Sequence, residues 1–265
     1  MITKQDIELY IDKIPATPKV LKDSLNLLNQ GELTKSAAVA QEDLALNAYL
    51  KNLVNKPVYG LKNSVKNTPQ IFTILGIPAT QQVLYNYMIN LLSPDEWLFF
   101  KLNASQFNNL QAELSINWHK ILTYLHIKDK DIESSIALLP ASIIIAEAIF
   151  NKHIEDVNLI RTNNNIDLNS MLKRLSGVDL FDLSKQISTR WDISPIVGQI
   201  IKSASGIEPS QDREVNTLAK WMHLLLFYTL SRETFVNAGL NDFIDFKIDY
   251  VLDIYDQFAI VMEIS

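Results

Sequence analysis

Apolar residues recur along this chain at intervals of three and four, the repeat of a helix with one buried face, and Pro, Gly and Asn cut the runs into short pieces. Ile7, Tyr10, Ile11 and Ile14 make a first stripe, which Pro15-Ala16-Thr17-Pro18 ends. A second helix is predicted from Pro18, with Val20, Leu21, Leu25, Leu27 and Leu28 buried and Asn29-Gln30-Gly31 as its stop. Thr34 is the expected N-cap of a short helix over Lys35 to Gln41. Asp43 caps the next, which carries Leu46, Leu50, Leu53 and Val54 and closes at Asn55-Lys56-Pro57. After the connector Tyr59-Gly60-Leu61, Thr68-Pro69 starts a helix with Ile71, Ile74 and Leu75. Gly76-Ile77-Pro78 breaks it, and Thr80 opens another through Val83, Leu84, Tyr87 and Met88.

Turn residues and asparagines between Ser93 and Asn109 predict a seam. Beyond it the pattern resumes with Leu114, Trp118, Ile121, Leu122 and Leu125, then Ile132 to Phe150, and breaks at Asn163-Asn164-Asn165. Further helices are expected over Asp167 to Leu175, Phe181 to Trp191, Ser194 to Lys202 and Val215 to Ser231. Asp242 to Glu263 reads as one long helix with more apolar residues than a single stripe needs, so it must pack on the body or on a second copy. The expected fold is all-α and multihelical. Residues 1–100 are an N-terminal helical subdomain, 101–235 a second helical core, and 236–265 the C-terminal helix.

Composition agrees with this pattern: in 265 residues there are only seven glycines, and 48% of positions are hydrophobic. The formal charge of −6 disfavours a nucleic-acid-binding body. Charge is uneven, however, with nine Lys against seven acids in residues 1–70 and 15 basic against 23 acidic residues thereafter. Lys51, Lys56, Lys62 and Lys66 have no acid among them and are expected to form an ordinary solvated face. The absence of cysteine removes disulfides, thiolate metal sites and a Cys nucleophile. The N-terminus is charged too early for a signal peptide. The apolar run Ile136 to Phe150, interrupted by Pro140, Ser142 and Glu147, is too short to span a membrane. A cytoplasmic location is expected.

Candidate chemistry is sparse. No Gly-framed nucleophile and no phosphate-binding glycine loop occur, and Ser203-Ala204-Ser205-Gly206 reads as a turn. His119 and His126 are seven apart, whereas ligands on one helix need a spacing of three or four. His223, inside Trp221-Met222-His223-Leu224-Leu225-Leu226, reads as a satisfied core or groove histidine. Glu147 is expected on the wet face of its helix rather than as a buried acid. Trp97-Leu98-Phe99-Phe100 reads as core, but Trp97, Phe99 and Phe100 also form a candidate interaction surface at the seam.

Several motifs together carry a family resemblance. Ile14-Pro15-Ala16-Thr17-Pro18-Lys19-Val20-Leu21, Asp43-Leu44-Ala45-Leu46, Leu53-Val54-Asn55-Lys56-Pro57-Val58-Tyr59-Gly60, Ile71 to Gly76, Gly177-Val178-Asp179 and Arg190-Trp191-Asp192 resemble the signatures of the HDOD domain, the HD-related output domain of bacterial signalling proteins. Asp43, Asn55, Tyr59 and Gly60 are the motif positions matched. Leu44 and Lys56 depart from the family's Asp-Pro and Asn-Ser pairs. The resemblance implies an N-terminal helical subdomain packed on a degenerate HD core. When the HD phosphohydrolase pattern is laid on the chain, its first metal His falls near Gln111, its His-Asp pair on Pro140 and Ala141, a His-His pair near Ala204 and Ser205, and its last Asp near Leu226. None of these can supply the ligand set that activates water.

The resemblance therefore implies a non-catalytic output protein with neither metal nor cofactor, acting through protein partners, with self-association among them. Two other readings stand beside it. One is a nucleotide or second-messenger sensor that uses the degenerate HD pocket without hydrolysis; the other is nucleic-acid binding through Lys51 to Lys66, which the overall charge disfavours.

Overall fold

The computed structural model describes residues 3–12, 18–56, 64–164, 166–191 and 193–264. Every regular element among them is helical. The first half contains α1 (Lys4–Asp12), α2 (Lys19–Asn29), α3 (Leu33–Ala40), α4 (Leu44–Val54) and α5 (Thr68–Asn90). It continues with α6 (Ala104–Tyr124), α7 (Lys130–Ser134), α8 (Leu138–Lys152) and α9 (Ile154–Asn164). Then come α10 (Leu168–Ser176), α11 (Leu180–Arg190), α12 (Pro195–Ser203), α13 (Arg213–Leu230) and α14 (Glu233–Asn237), and finally α15 (Ile248–Val251) and α16 (Tyr255–Val261).

Local chemistry sets most of the boundaries. The Asp43 carboxylate accepts the Ala45 and Leu46 N–H groups at 2.9 Å each, which satisfies donors that the first turn of α4 leaves free. Asn103 and Gln106 close a reciprocal capping box at the start of α6, and Asp179 and Asp182 do the same for α11. Inside α5, Gly76 takes φ 72° and ψ 177°, so the helix breaks where the Gly-Ile-Pro triplet predicted. It resumes before Thr80, because Pro78 fits a first turn and no separate cap is needed. α3 likewise starts at Leu33, with Glu32 at its N-cap instead of Thr34. Lys35 pairs with Glu32 across that turn at 3.0 Å, and Ser36 is pulled inward to share a 2.7 Å hydrogen bond with Ser24 of α2.

Two apolar clusters organise the chain. The smaller collects Leu21, Leu28, Leu46, Leu50, Ile71 and Leu84 from α2 to α5. The larger is built around α6, α8 and α11 to α13. The two clusters do not follow the chain order strictly. Ile7 and Ile11 of α1 belong to the larger cluster, with α1 packed on α8 and α11, and so do Ile89, Trp97 and Phe100. Tyr85 and Trp191 stack with ring centroids 6.4 Å apart and touch both clusters.

The single C-terminal helix is also corrected. A 3-10 turn at Leu240–Phe243, an extended stretch, α15 and α16 replace it. The extended backbone lets Phe243 and Ile244 both enter the core and brings the Lys247 N–H to His223, which a continuous helix would not allow. The run 131–152 is long and apolar enough to cross a membrane, but 94% of its most apolar window is buried inside the fold, where α8 forms the central helix.

Candidate functional site

The six positions onto which the resemblance lays the HD metal ligands are buried. Gln111 lies in α6, Pro140 and Ala141 in the first turn of α8, Ala204 and Ser205 just after α12, and Leu226 in α13. Ala141, Ala204 and Leu226 are packed into the larger apolar cluster at no more than 1% exposure. Pro140 is accommodated because a first-turn residue needs no N–H. Gln111 turns its amide to the Asn86 carbonyl (3.2 Å), and the Asn86 amide reaches the Ser115 hydroxyl (3.0 Å), so these polar groups fasten α5 to α6. Among the described residues no three His, Asp or Glu side chains cluster as a metal site would require.

The remaining histidines have other duties. His223 is fully buried; its Nδ1–H donates to the Ala204 carbonyl at 2.8 Å and its Nε2 accepts the Lys247 N–H at 3.2 Å. Burial holds its pKa below the usual 6.5, so the neutral ring that fits those two bonds is the stable form. It is the satisfied histidine its sequence context predicted. His126 lies beyond the end of α6 with φ 59°, outside any shared helix face with His119. His119 Nδ1–H donates to Glu133 Oε1 at 2.8 Å, and that hydrogen bond raises the imidazole pKa above 6.5 despite partial burial.

Two expectations about surface chemistry fail. Glu147 is only 1% exposed, and its carboxylate oxygens accept the Phe99 and Phe100 N–H groups at 2.9 Å each. It had no wet face to occupy, since α8 is covered on nearly every side; the acid staples the 97–100 segment to the core instead. The tryptophan and phenylalanines are therefore not a docking patch. Trp97 packs on Phe107 and Phe100 on Phe243, with only Phe99 partly accessible.

The family-motif residues that can be seen are structural. Asn55 ends α4 and donates to the Lys51 and Val65 carbonyls at 2.8 and 3.0 Å while accepting the Val65 N–H at 2.8 Å, which closes the base of the connector. Tyr59 and Gly60 lie outside the described residues, as does Lys62. Lys56 is half-buried and bound to Asn109, and burial lowers its pKa, so it is not part of an open basic face.

Reading by motif missed a cavity of about 350 Å³ between α4, α5 and α6. Ile71, Ile74 and Leu75 line it before the Gly76 break, Ala79, Gln82 and Val83 after it, and Ser115, Ile116, His119 and Lys120 face them from α6. The available signal was weak: polar Gln82 and Ser115 fall on otherwise apolar helix faces.

An all-helical body with a small four-helix cluster set against a larger one defines a multihelical all-α domain. The HDOD domain family model matches residues 14–206, and the chain belongs to that family. Among solved structures, an HDOD domain protein of unknown function from Geobacter sulfurreducens aligns at TM-score 0.63 and 13% identity, covering 98% of this chain and 95% of its own. A candidate phosphohydrolase from Shewanella amazonensis SB2B aligns at TM-score 0.65 and 14% identity, covering 98% and 88%. No curated protein is significantly similar in sequence.

Proposed function

We propose that this chain is a non-catalytic output module of bacterial signal transduction, acting in the cytoplasm through protein contacts. The observation that carries the reading is the packing of the positions onto which the resemblance lays the metal ligands. Apolar side chains occupy Pro140, Ala141, Ala204 and Leu226, and burying a cation there would leave its charge without donors. The same packing argues against a nucleotide sensor at that position, because a phosphate needs polar partners and room.

A contact surface is offered by the C-terminal elements. Their inner residues Val251, Ile254 and Phe258 pack on the body, whereas Ile248, Leu252, Tyr255 and Ile260 remain exposed, Leu252 at 66% and Ile260 at 74%. Apolar residues gathered in this way suit a partner protein or a second copy. Two measurements test the reading. Incubation with manganese or magnesium should give substoichiometric metal and no hydrolysis of a generic phosphodiester; stoichiometric metal with turnover overturns it. Partners captured by the intact chain should be lost with Leu252→Asp/Ile260→Asp, and retention of every partner by that variant would remove this surface from the proposal.

A further inference from the structure

The cavity between α4, α5 and α6 is apolar along most of its wall and rich in donors at one end. Its volume, about 350 Å³, falls in the range of small-ligand sites, roughly 300–1,000 Å³. The concavity follows from Gly76: with φ at 72°, a conformation side chains other than Gly rarely adopt, the two arms of α5 each turn residues toward the same space. Val54, Ile71, Leu75 and Val83 offer no hydrogen-bonding groups to a nucleobase or sugar. They suit an aliphatic body.

The polar end is built by one stretch of α6, where Ser115 and His119 stand one turn apart and Lys120 follows His119. Ser115 Oγ accepts the Asn86 amide, its one hydrogen bond among the described residues, so its hydroxyl proton is available to a ligand. His119 holds Glu133 through Nδ1, which leaves Nε2 for the cavity side. Lys120 makes no ion pair among the described residues and brings a positive charge to this end. Glu133, the acid at this end, is already engaged and does not compete for the ammonium.

We infer that this cavity binds a free aliphatic carboxylic acid, its chain lying along the two arms of α5 and its carboxylate meeting the Ser115 hydroxyl, the His119 imidazole and the Lys120 ammonium. A neutral aliphatic molecule would gain none of the charge-assisted hydrogen bonds those groups can give, and a phosphorylated sugar or nucleotide would bury polar edges against the apolar wall. The site is separate from the packed HD centre and from the C-terminal surface, so it stands or falls independently of the output-module reading.

Calorimetric titration of the intact chain with decanoate, below its micellar range, and with decanol tests the inference. Decanoate is expected to bind saturably at one site and at least ten-fold more tightly than decanol. His119→Gln/Lys120→Gln, at positions exposed enough to keep the fold, should remove that preference while leaving decanol binding unchanged, which also shows the cavity to be intact. Absence of saturable decanoate binding, equal affinity for the alcohol, or wild-type binding by the double variant would each overturn it.

Discussion

Helix α6 carries two sites of opposite character one turn apart. At Gln111, one of the positions onto which the HD pattern was laid, the side chain is buried and fastened to the Asn86 carbonyl. At Ser115, His119 and Lys120 it faces an open cavity that the Gly76 break creates in α5. The difference is one of packing. Buried Ala141, Ala204 and Leu226 belong to a closed apolar cluster, whereas a backbone kink holds two helix arms apart and leaves space that side chains do not fill.

The strongest challenge to this contrast is to rebuild the lost pair. Pro140→His/Ala141→Asp puts a charge among apolar neighbours, and the cost is expected to be on the order of 3–5 kcal/mol in urea unfolding, with no gain of metal. A folded variant that takes up a stoichiometric divalent ion would break the comparison. Glu147→Leu comes next. Two backbone donors at Phe99 and Phe100 lose their carboxylate, which should cost about 3 kcal/mol and loosen amide protection at 97–100. Asn55→Ala should cost about 1–2 kcal/mol, measured the same way, because it opens the base of the connector after α4.

Acidity separates the regions by sign. The His223 pKa is held below its unfolded value of 6.5, so the unfolded chain binds the proton first, and the stability His223 contributes is present above pH 6.5 and lost as pH falls below it. His119 works in the opposite direction. Its raised pKa contributes stability that is complete below pH 6.5 and lost as pH rises through the folded value. His119→Gln should therefore steepen the loss of thermal stability on acidification, and an unchanged acid limb would contradict the assignment. The smallest effect is expected at Leu252→Asp, within about 0.5 kcal/mol of wild type, because the side chain is exposed; a large loss of stability would show it to be part of the core.

Much of the helical order was legible in the chain because its punctuation is chemical and local. Asp43, Asn67, Asn103, Asp167 and Asp179 each cap the helix that follows, and Gly76 and Gly177 adopt the positive φ their positions require. That Pro140 and Ala141 carry no metal-ligating group could be read from residue identity alone. Glu147 was misplaced because one acid in an apolar run fits both a wet face and a buried staple, and only the covering of α8 by its neighbours distinguishes them. The C-terminal segment was read as one helix because its apolar residues satisfy a helical repeat, while contacts with His223 and the core favoured an extended passage at 244–247.

Residue order by itself determined the helices and most of their caps, since these depend on groups within a few positions of one another. Tertiary packing decided which acid was buried, that α1 joins the larger cluster, and where a cavity remains open. Those outcomes depend on what surrounds each helix from distant parts of the chain, and a one-dimensional repeat carries no record of that surrounding.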